Sequence, residues 1–166
     1  MRKLFLSLIL FFAILPIANA GNFQPTQKHG YTGDVTVGTM RYLGNGYDSR
    51  ILFMTSHGCT LNNGLYIGGG IGFDLPFGNA ESVQYLFADT KYIFEAEKFY
   101  TFVRVRIGAS YGQHGDNVFG IMMMPEVGVQ YKRFALSLGH MYDSECFQGL
   151  GSLRKFHSNL MLSFTF

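Results

Sequence analysis

Seven residues at the carboxy-terminal end, Leu160-Met161-Leu162-Ser163-Phe164-Thr165-Phe166, constrain the fold more than any other stretch of this chain. Successive side chains of an extended strand point to opposite faces. Leu160, Leu162, Phe164 and Phe166 therefore line one face, and Met161, Ser163 and Thr165 line the other. Four large apolar groups along one strand face need an apolar neighbour, and hydrocarbon outside the protein meets that need as well as a protein core does.

The amino-terminal end carries a matching signal. Arg2 and Lys3 precede an apolar run from Leu4 to Leu15, which Pro16 breaks before Ala18-Asn19-Ala20. A short positive segment, an apolar run and a small-x-small site make residues 1–20 a cleaved signal peptide. The run is shorter than the roughly 20 residues that a spanning helix needs. No cysteine follows the cleavage site, so an acylated lipoprotein is not expected. Residues 21–29 then form a short periplasmic segment, and residues 30–166 form one domain.

Of 13 Lys and Arg side chains, the loss of Arg2 and Lys3 leaves 11 against 11 Asp and Glu. That balance shows no basic excess of the kind a nucleic-acid binder carries. The 21 glycines, 17 phenylalanines and 10 tyrosines, with only 4 prolines, describe strands punctuated by glycine rather than helices. Eight alternating segments follow the leader, at 30–42, 49–59, 63–75, 82–94, 98–112, 118–131, 133–143 and 154–166. Each is long enough to cross an outer membrane, for which about 9–11 tilted residues suffice. Turn signals separate them, including Gly44-Asn45-Gly46, Asn62-Asn63-Gly64, Pro76-Phe77-Gly78-Asn79 and Lys132-Arg133. The prediction is an all-β fold, an eight-stranded antiparallel up-and-down transmembrane β-barrel with both termini in the periplasm. The longest outer connection runs from Asp143 to Ser152, and another from Gln113 to Asn117.

Alternation assigns the faces. Val103, Val105 and Ile107 point outward against Arg104 and Arg106, and Ile121, Met123, Val127 and Val129 against Glu126, Gly128 and Gln130. Leu65, Ile67, Ile71 and Phe73 oppose Gly68, Gly70, Gly72 and Asp74; Phe134, Leu136 and Leu138 point out; Asp89 and Lys91 oppose Tyr92 and Phe94. In the last segment Phe156 joins the outer set, while Lys155, His157 and Asn159 join the interior. Arg or Lys facing lipid at mid-membrane costs about 2–4 kcal/mol, which fixes the direction of these assignments.

The interior then holds four acids, Asp34, Asp74, Asp89 and Glu126, and four bases, Lys91, Arg104, Arg106 and Lys155. Buried charges persist when matched, and eight strands enclose a space that side chains fill, so the expectation is one paired network plugging the barrel. Tyr31, Tyr42, Phe99, Tyr100, Tyr111, Phe119, Tyr131, Phe134 and Tyr142 fall near strand ends, where aromatic girdles belong.

The closing segment resembles the last strand of bacterial outer-membrane β-barrels, which characteristically ends in phenylalanine. Thr55-Ser56-His57-Gly58, the run Leu65-Tyr66-Ile67-Gly68-Gly69-Gly70-Ile71-Gly72 and Phe87-Ala88-Asp89-Thr90-Lys91-Tyr92 resemble, in order and spacing, motifs of small outer-membrane barrels common in Bacteroidota. Ser56 and Lys91 depart from the usual threonine and arginine. The resemblance implies location and fold, with no catalytic residues to carry over. It also implies outer-membrane lipid as partner and recognition of Leu160, Leu162, Phe164 and Phe166 by the barrel assembly machinery. A monomer is expected, with any surface ligand unspecified.

Reactive groups form no familiar constellation. His157-Ser158-Asn159 lacks the spacer of the H-x-S-N pattern found in lipid A deacylases, and adjacent strand residues face opposite ways. His29, His57, His114, His140 and His157 are scattered without metal-ligand spacing. His114 with Asp116, and Asp143 with Glu145, offer too few oxygens for calcium. Gly68-Gly69-Gly70 lies inside a strand, where it makes room for Arg104 or Arg106 rather than cradling phosphate. Met122 and Met124 fill the interior and Met123 faces out. Cys59 and Cys146 fall at opposite ends of the barrel, too far apart to bridge. No catalytic residue, metal or cofactor is expected, and the role expected of the plugged barrel is structural or interactive at the cell surface. A small solute or ion channel is the alternative, and a lipid A-modifying enzyme ranks third.

Overall fold

The computed structural model describes residues 30–43, 49–61, 64–78, 81–95, 99–114, 116–147 and 151–166. The expected leader, the 21–29 segment and several turn motifs lie outside them. Eight strands follow one another: β1 (Gly30–Tyr42), β2 (Ser49–Thr60), β3 (Leu65–Pro76), β4 (Val83–Glu95), β5 (Tyr100–His114), β6 (Asp116–Tyr131), β7 (Phe134–Phe147) and β8 (Gly151–Thr165). Each pairs antiparallel with its neighbours in sequence, and β8 closes on β1 from Asp34↔Thr165 to Tyr42↔His157. The closure leaves no unpaired edge strand.

Register fixes the geometry of the wall. Gly30 pairs with Thr60, and the row continues through Tyr66, Lys91, Arg104, Glu126, Gly139 and Asn159. It re-enters β1 at Met40, ten residues above its start. A shear of this size on eight strands tilts them by about 40°. The termini of the barrel and the β2–β3, β4–β5 and β6–β7 turns share one end, here the turn end. The other is the loop end.

The outer wall is apolar where a soluble protein would be polar. Val37, Ile67, Ile71, Leu86, Val103, Ile107, Ile121, Val127, Leu136, Leu138, Leu160 and Leu162 are all exposed. Tyr31, Phe94, Phe99, Tyr131 and Phe134 ring the turn end, with Tyr92 stacked edge-on against Phe94. Phe119 and the Tyr142–Phe156 pair stand toward the loop end. An outward apolar band, about 25 Å tall in outer-membrane barrels and bounded by aromatic girdles, is the surface that a bilayer requires.

Three expectations need correction. β7 continues through Phe147 and β8 starts at Gly151, so most of 143–152 is strand rather than loop, and Cys146 is a strand residue paired with Phe119 and Ser152. Likewise β5 and β6 absorb all of 113–117 except residue 115. These hairpins extend because cross-strand pairing, once set by the wall, continues beyond the apolar band without needing alternation there. Tyr42 and Tyr100 are not girdle residues: Tyr42 turns inward against His157, and Tyr100 shares the inward parity of Phe102 and Arg104. Cys59 is an exposed, unbridged thiol near the turn end.

Candidate functional site

The lumen is stacked in three layers. The lowest, toward the turn end, is ionic. Arg104 donates from Nε to Asp89 Oδ1 (2.8 Å) and from Nη2 to both Asp34 oxygens (2.8 and 3.0 Å) and to Asp89 Oδ2. Arg106 donates from Nη1 to Glu126, whose other oxygen accepts from Ser137 Oγ at 3.0 Å. Lys91 Nζ lies 3.9 Å from Asp34 Oδ2 and sits over the Tyr66 and Phe102 rings. Three cations thus meet three anions, all nearly solvent-free. Thr36 and Ser163, 2.8 Å apart, supply hydroxyls to the same layer.

Above it lies an apolar layer. Met40, Leu52, Met54, Met122, Met124, Met141 and Met161 come from β1, β2, β6, β7 and β8, and none is more than 3% exposed. Val83, Tyr85 and Phe87 of β4 complete the cluster. The unbranched thioethers fill the irregular space left by inward glycines such as Gly72, where an added Cβ would meet Met54 at 2.7 Å. Met122 and Met124 lie inside and Met123 outside, as alternation requires.

The third layer, toward the loop end, is polar again. Asp74 accepts from Arg50 Nη1 (3.0 and 3.1 Å), the Val83 amide (2.9 Å) and Tyr85 Oη (2.7 Å). Ser110 donates to Asp143 at 2.7 Å, and Lys155 is the cross-strand neighbour of Asp143. The eight interior charges named from sequence therefore do not form one network. Asp34, Asp89, Lys91, Arg104, Arg106 and Glu126 gather in the lower layer, whereas Asp74 and Lys155 belong to the upper one. The sequence reading does not include Arg50 and Asp143: Arg50 is the second residue of β2, four residues after a turn signal, and Asp143 falls at an expected loop boundary. Their inward parity with Leu52 and Met141 was the available signal.

Asp74→Asn keeps the shape of the hub but removes the charge opposite Arg50. Since hydrogen bonds to charged groups contribute about 1.5–3 kcal/mol, a loss of about 2 kcal/mol is expected, read as a lower urea midpoint for unfolding from lipid vesicles.

The inward glycines of β3 make room for rings, not for arginines. An added Cβ at Gly68 would meet Tyr66 Oη at 2.4 Å, and one at Gly70 would meet the Phe87 ring at 2.7 Å. Those rings in turn lie against Lys91 and Arg106. At the seam, Phe166 exchanges backbone hydrogen bonds with Gly33 (3.1 and 2.9 Å), and its ring stands on that glycine beside His57. Leu160, Leu162 and Phe164 continue the outer face of the same strand.

Among the described residues no three His, Cys, Asp or Glu side chains converge as a metal site. His57 points outward, with Tyr31 Oη 2.5 Å from Nδ1 and Thr55 Oγ1 3.1 Å from Nε2. His157 and Asn159 are buried inside, and Ser158 faces out. Ser158 does have a histidine beside it on the outer wall: His140, its cross-strand partner. The side chains of His114, Asp116 and Glu145 lie outside the described set.

No protein-family model matches the sequence, and no curated protein matches it. Solved structures that resemble it include three outer-membrane β-barrels. The N-terminal β-barrel domain of Pseudomonas aeruginosa OprF aligns at a TM-score of 0.52 and 13% identity, over 81% of this chain and 97% of that one. Neisserial surface protein A aligns at 0.52 and 15%, over 84% and 98%. The outer membrane enzyme PagL aligns at 0.57 and 12%, over 79% and 98%. The likeness is one of fold: a closed, eight-stranded antiparallel barrel of the outer-membrane type.

Proposed function

We propose that this chain is an integral outer-membrane protein of a Gram-negative bacterium, exported behind residues 1–20, with a closed barrel serving a structural or surface-interaction role. The methionine layer carries the reading. A solute crossing the lumen would have to pass a desolvated apolar layer between two ionic ones, and an ion stripped of water there meets no compensating partner. The girdled apolar wall supports the location. The extended β5–β6 and β7–β8 hairpins reach past the apolar band and present the surface for contact. Outer-membrane lipid is the partner of the wall. The barrel assembly machinery would read β8 through Leu160, Leu162, Phe164 and Phe166, and the barrel would work as a monomer without cofactor.

Two measurements on one preparation test this. The outer-membrane fraction, run on SDS gels with and without boiling, is expected to show a band whose mobility changes on heating, because a closed hydrogen-bonded wall survives SDS until heated. A soluble periplasmic product with no shift would overturn the location. In planar bilayers the shifted species is expected to give no conductance steps. Discrete steps would replace the closed scaffold with a channel.

A further inference from the structure

The outer wall carries one polar row that the apolar band does not explain. His140 of β7 pairs with Ser158 of β8, and Ser158 pairs with Arg41 of β1. All three face outward, with His140 and Arg41 exposed and Ser158 half-buried. The rung below is apolar on β7 and β8, Leu138↔Leu160, and the rung above is the Tyr142–Phe156 ring pair. Arg41 is the last outward residue before β1 ends at Tyr42, so the row climbs toward the loop end of the barrel. Among the described residues, none of the three side chains makes a hydrogen bond or ion pair, unlike the outward His57, whose two ring nitrogens both have neighbours. No described carboxylate faces out beside them.

Every polar group in this row can donate, and the guanidinium can only donate. The row spans two strand spacings, about 10 Å, which lets Arg41 and His140 close from either side on a group seated at the Ser158 hydroxyl. What is missing is an anion with several acceptor oxygens, at the height where a bilayer's apolar layer gives way to headgroups. We infer that His140, Ser158 and Arg41 form a docking site for the phosphate of a phosphorylated lipid in the leaflet at the loop end of the barrel. Charge complementarity selects this occupant: a guanidinium matches phosphate bidentately, and basic groups at a membrane surface draw anionic lipid. A hydrolytic Ser–His pair is not favoured by the same geometry. The third member of the row is a cation and cannot accept the histidine's other N–H, as an orienting group must. The inference rests on the membrane location proposed above.

The test uses the folded barrel in maltoside micelles, which contain no phosphate. The probes are a diphosphorylated glucosamine-disaccharide glycolipid and the same lipid dephosphorylated, with bound lipid counted by native mass spectrometry. Wild-type barrel is expected to retain the phosphorylated lipid about tenfold more strongly. Arg41→Gln and His140→Gln are each expected to reduce that preference about threefold. Arg41→Lys should lose less than Arg41→Gln, and His57→Gln on the far side of the belt should change nothing. Equal retention of the two lipids, or an equal loss in His57→Gln, would overturn the site. Glycolipid recovered one acyl chain short would overturn it in favour of hydrolysis. The heat shift, run on every variant, keeps the two readings apart. Its presence with no phosphate preference defeats the site alone, and its absence in the wild type defeats the membrane location as well.

Discussion

Arg104→Leu is expected to destabilise the folded barrel by about 3–5 kcal/mol, the usual cost of stranding a buried charge by deleting its partner. Arg104 is the only side chain that hydrogen-bonds both Asp34 and Asp89 among the described residues. Without it two desolvated carboxylates share one layer. The nearest remaining cations are Lys91, 3.9 Å from Asp34, and Arg106, 4.0 Å from Asp34 and 3.7 Å from Asp89, with Arg106 already engaged by Glu126. The chain has no tryptophan, so unfolding in urea is best followed by the heat-shifted gel band or by circular dichroism. Arg104→Lys provides the graded control. It keeps the charge but loses the planar fork that reaches two carboxylates at once, and its loss should fall between wild type and Arg104→Leu. If the leucine and lysine variants unfold at the wild-type midpoint, the lower ionic layer contributes nothing to stability.

How much of this was legible in the sequence depends on where each residue sits against the apolar band. Within the band the order of Val103, Arg104, Val105, Arg106 and Ile107 separates two faces but fits either polarity locally. The closing strand with Phe166 and the glycine-rich polar face decide for a membrane barrel, and the cost of a charge facing lipid then leaves one choice of parity. Past the band that constraint lapses. Asp143, Ser144, Glu145, Cys146 and Phe147 continue β7 without alternation, and in sequence they read as a loop. Layering was hidden for a different reason. Parity puts Met40, Met54, Met122, Met124, Met141 and Met161 inside, but only register tells which of them share a height. The shear that carries Gly30 to Met40 is a property of eight pairings together. The same limit separated Asp74 from Asp89: both point inward, and the sheet places them on opposite sides of the methionines. The outer row of His140, Ser158 and Arg41 was beyond reach as well, since its members are far apart in sequence and meet only through β7–β8 and β8–β1 pairing.

The β3 glycines give a second large effect, because they set how closely the ring-bearing neighbours may approach. At Gly70 an added Cβ would stand 2.1 Å from the Thr55 carbonyl oxygen and 2.7 Å from the Phe87 ring. Neither obstacle moves cheaply. Thr55 is backbone in the adjacent strand, and Phe87 is wedged under the Arg106 guanidinium, 5.6 Å from its centre. Gly70→Val adds a branched side chain there. Overpacking of a filled core costs about 1–3 kcal/mol and at times more, and here the displacement passes from Phe87 to Arg106 and its bond to Glu126. A loss of about 3 kcal/mol is expected, seen as a lower urea midpoint or as failure to acquire the heat-shifted band. Gly78→Val is the matched control. An added Cβ there meets nothing within 4 Å, so its effect should stay within about 0.5 kcal/mol. Phe87→Leu separates the two obstacles, since it withdraws the ring and leaves the Thr55 carbonyl in place. If the double variant Gly70→Val with Phe87→Leu is less destabilised than the sum of its parts, the glycine is there for the ring. If the two losses simply add, the close approach of β2 and β3 is what the glycine serves, and the link from β3 to the ionic layer through Phe87 falls.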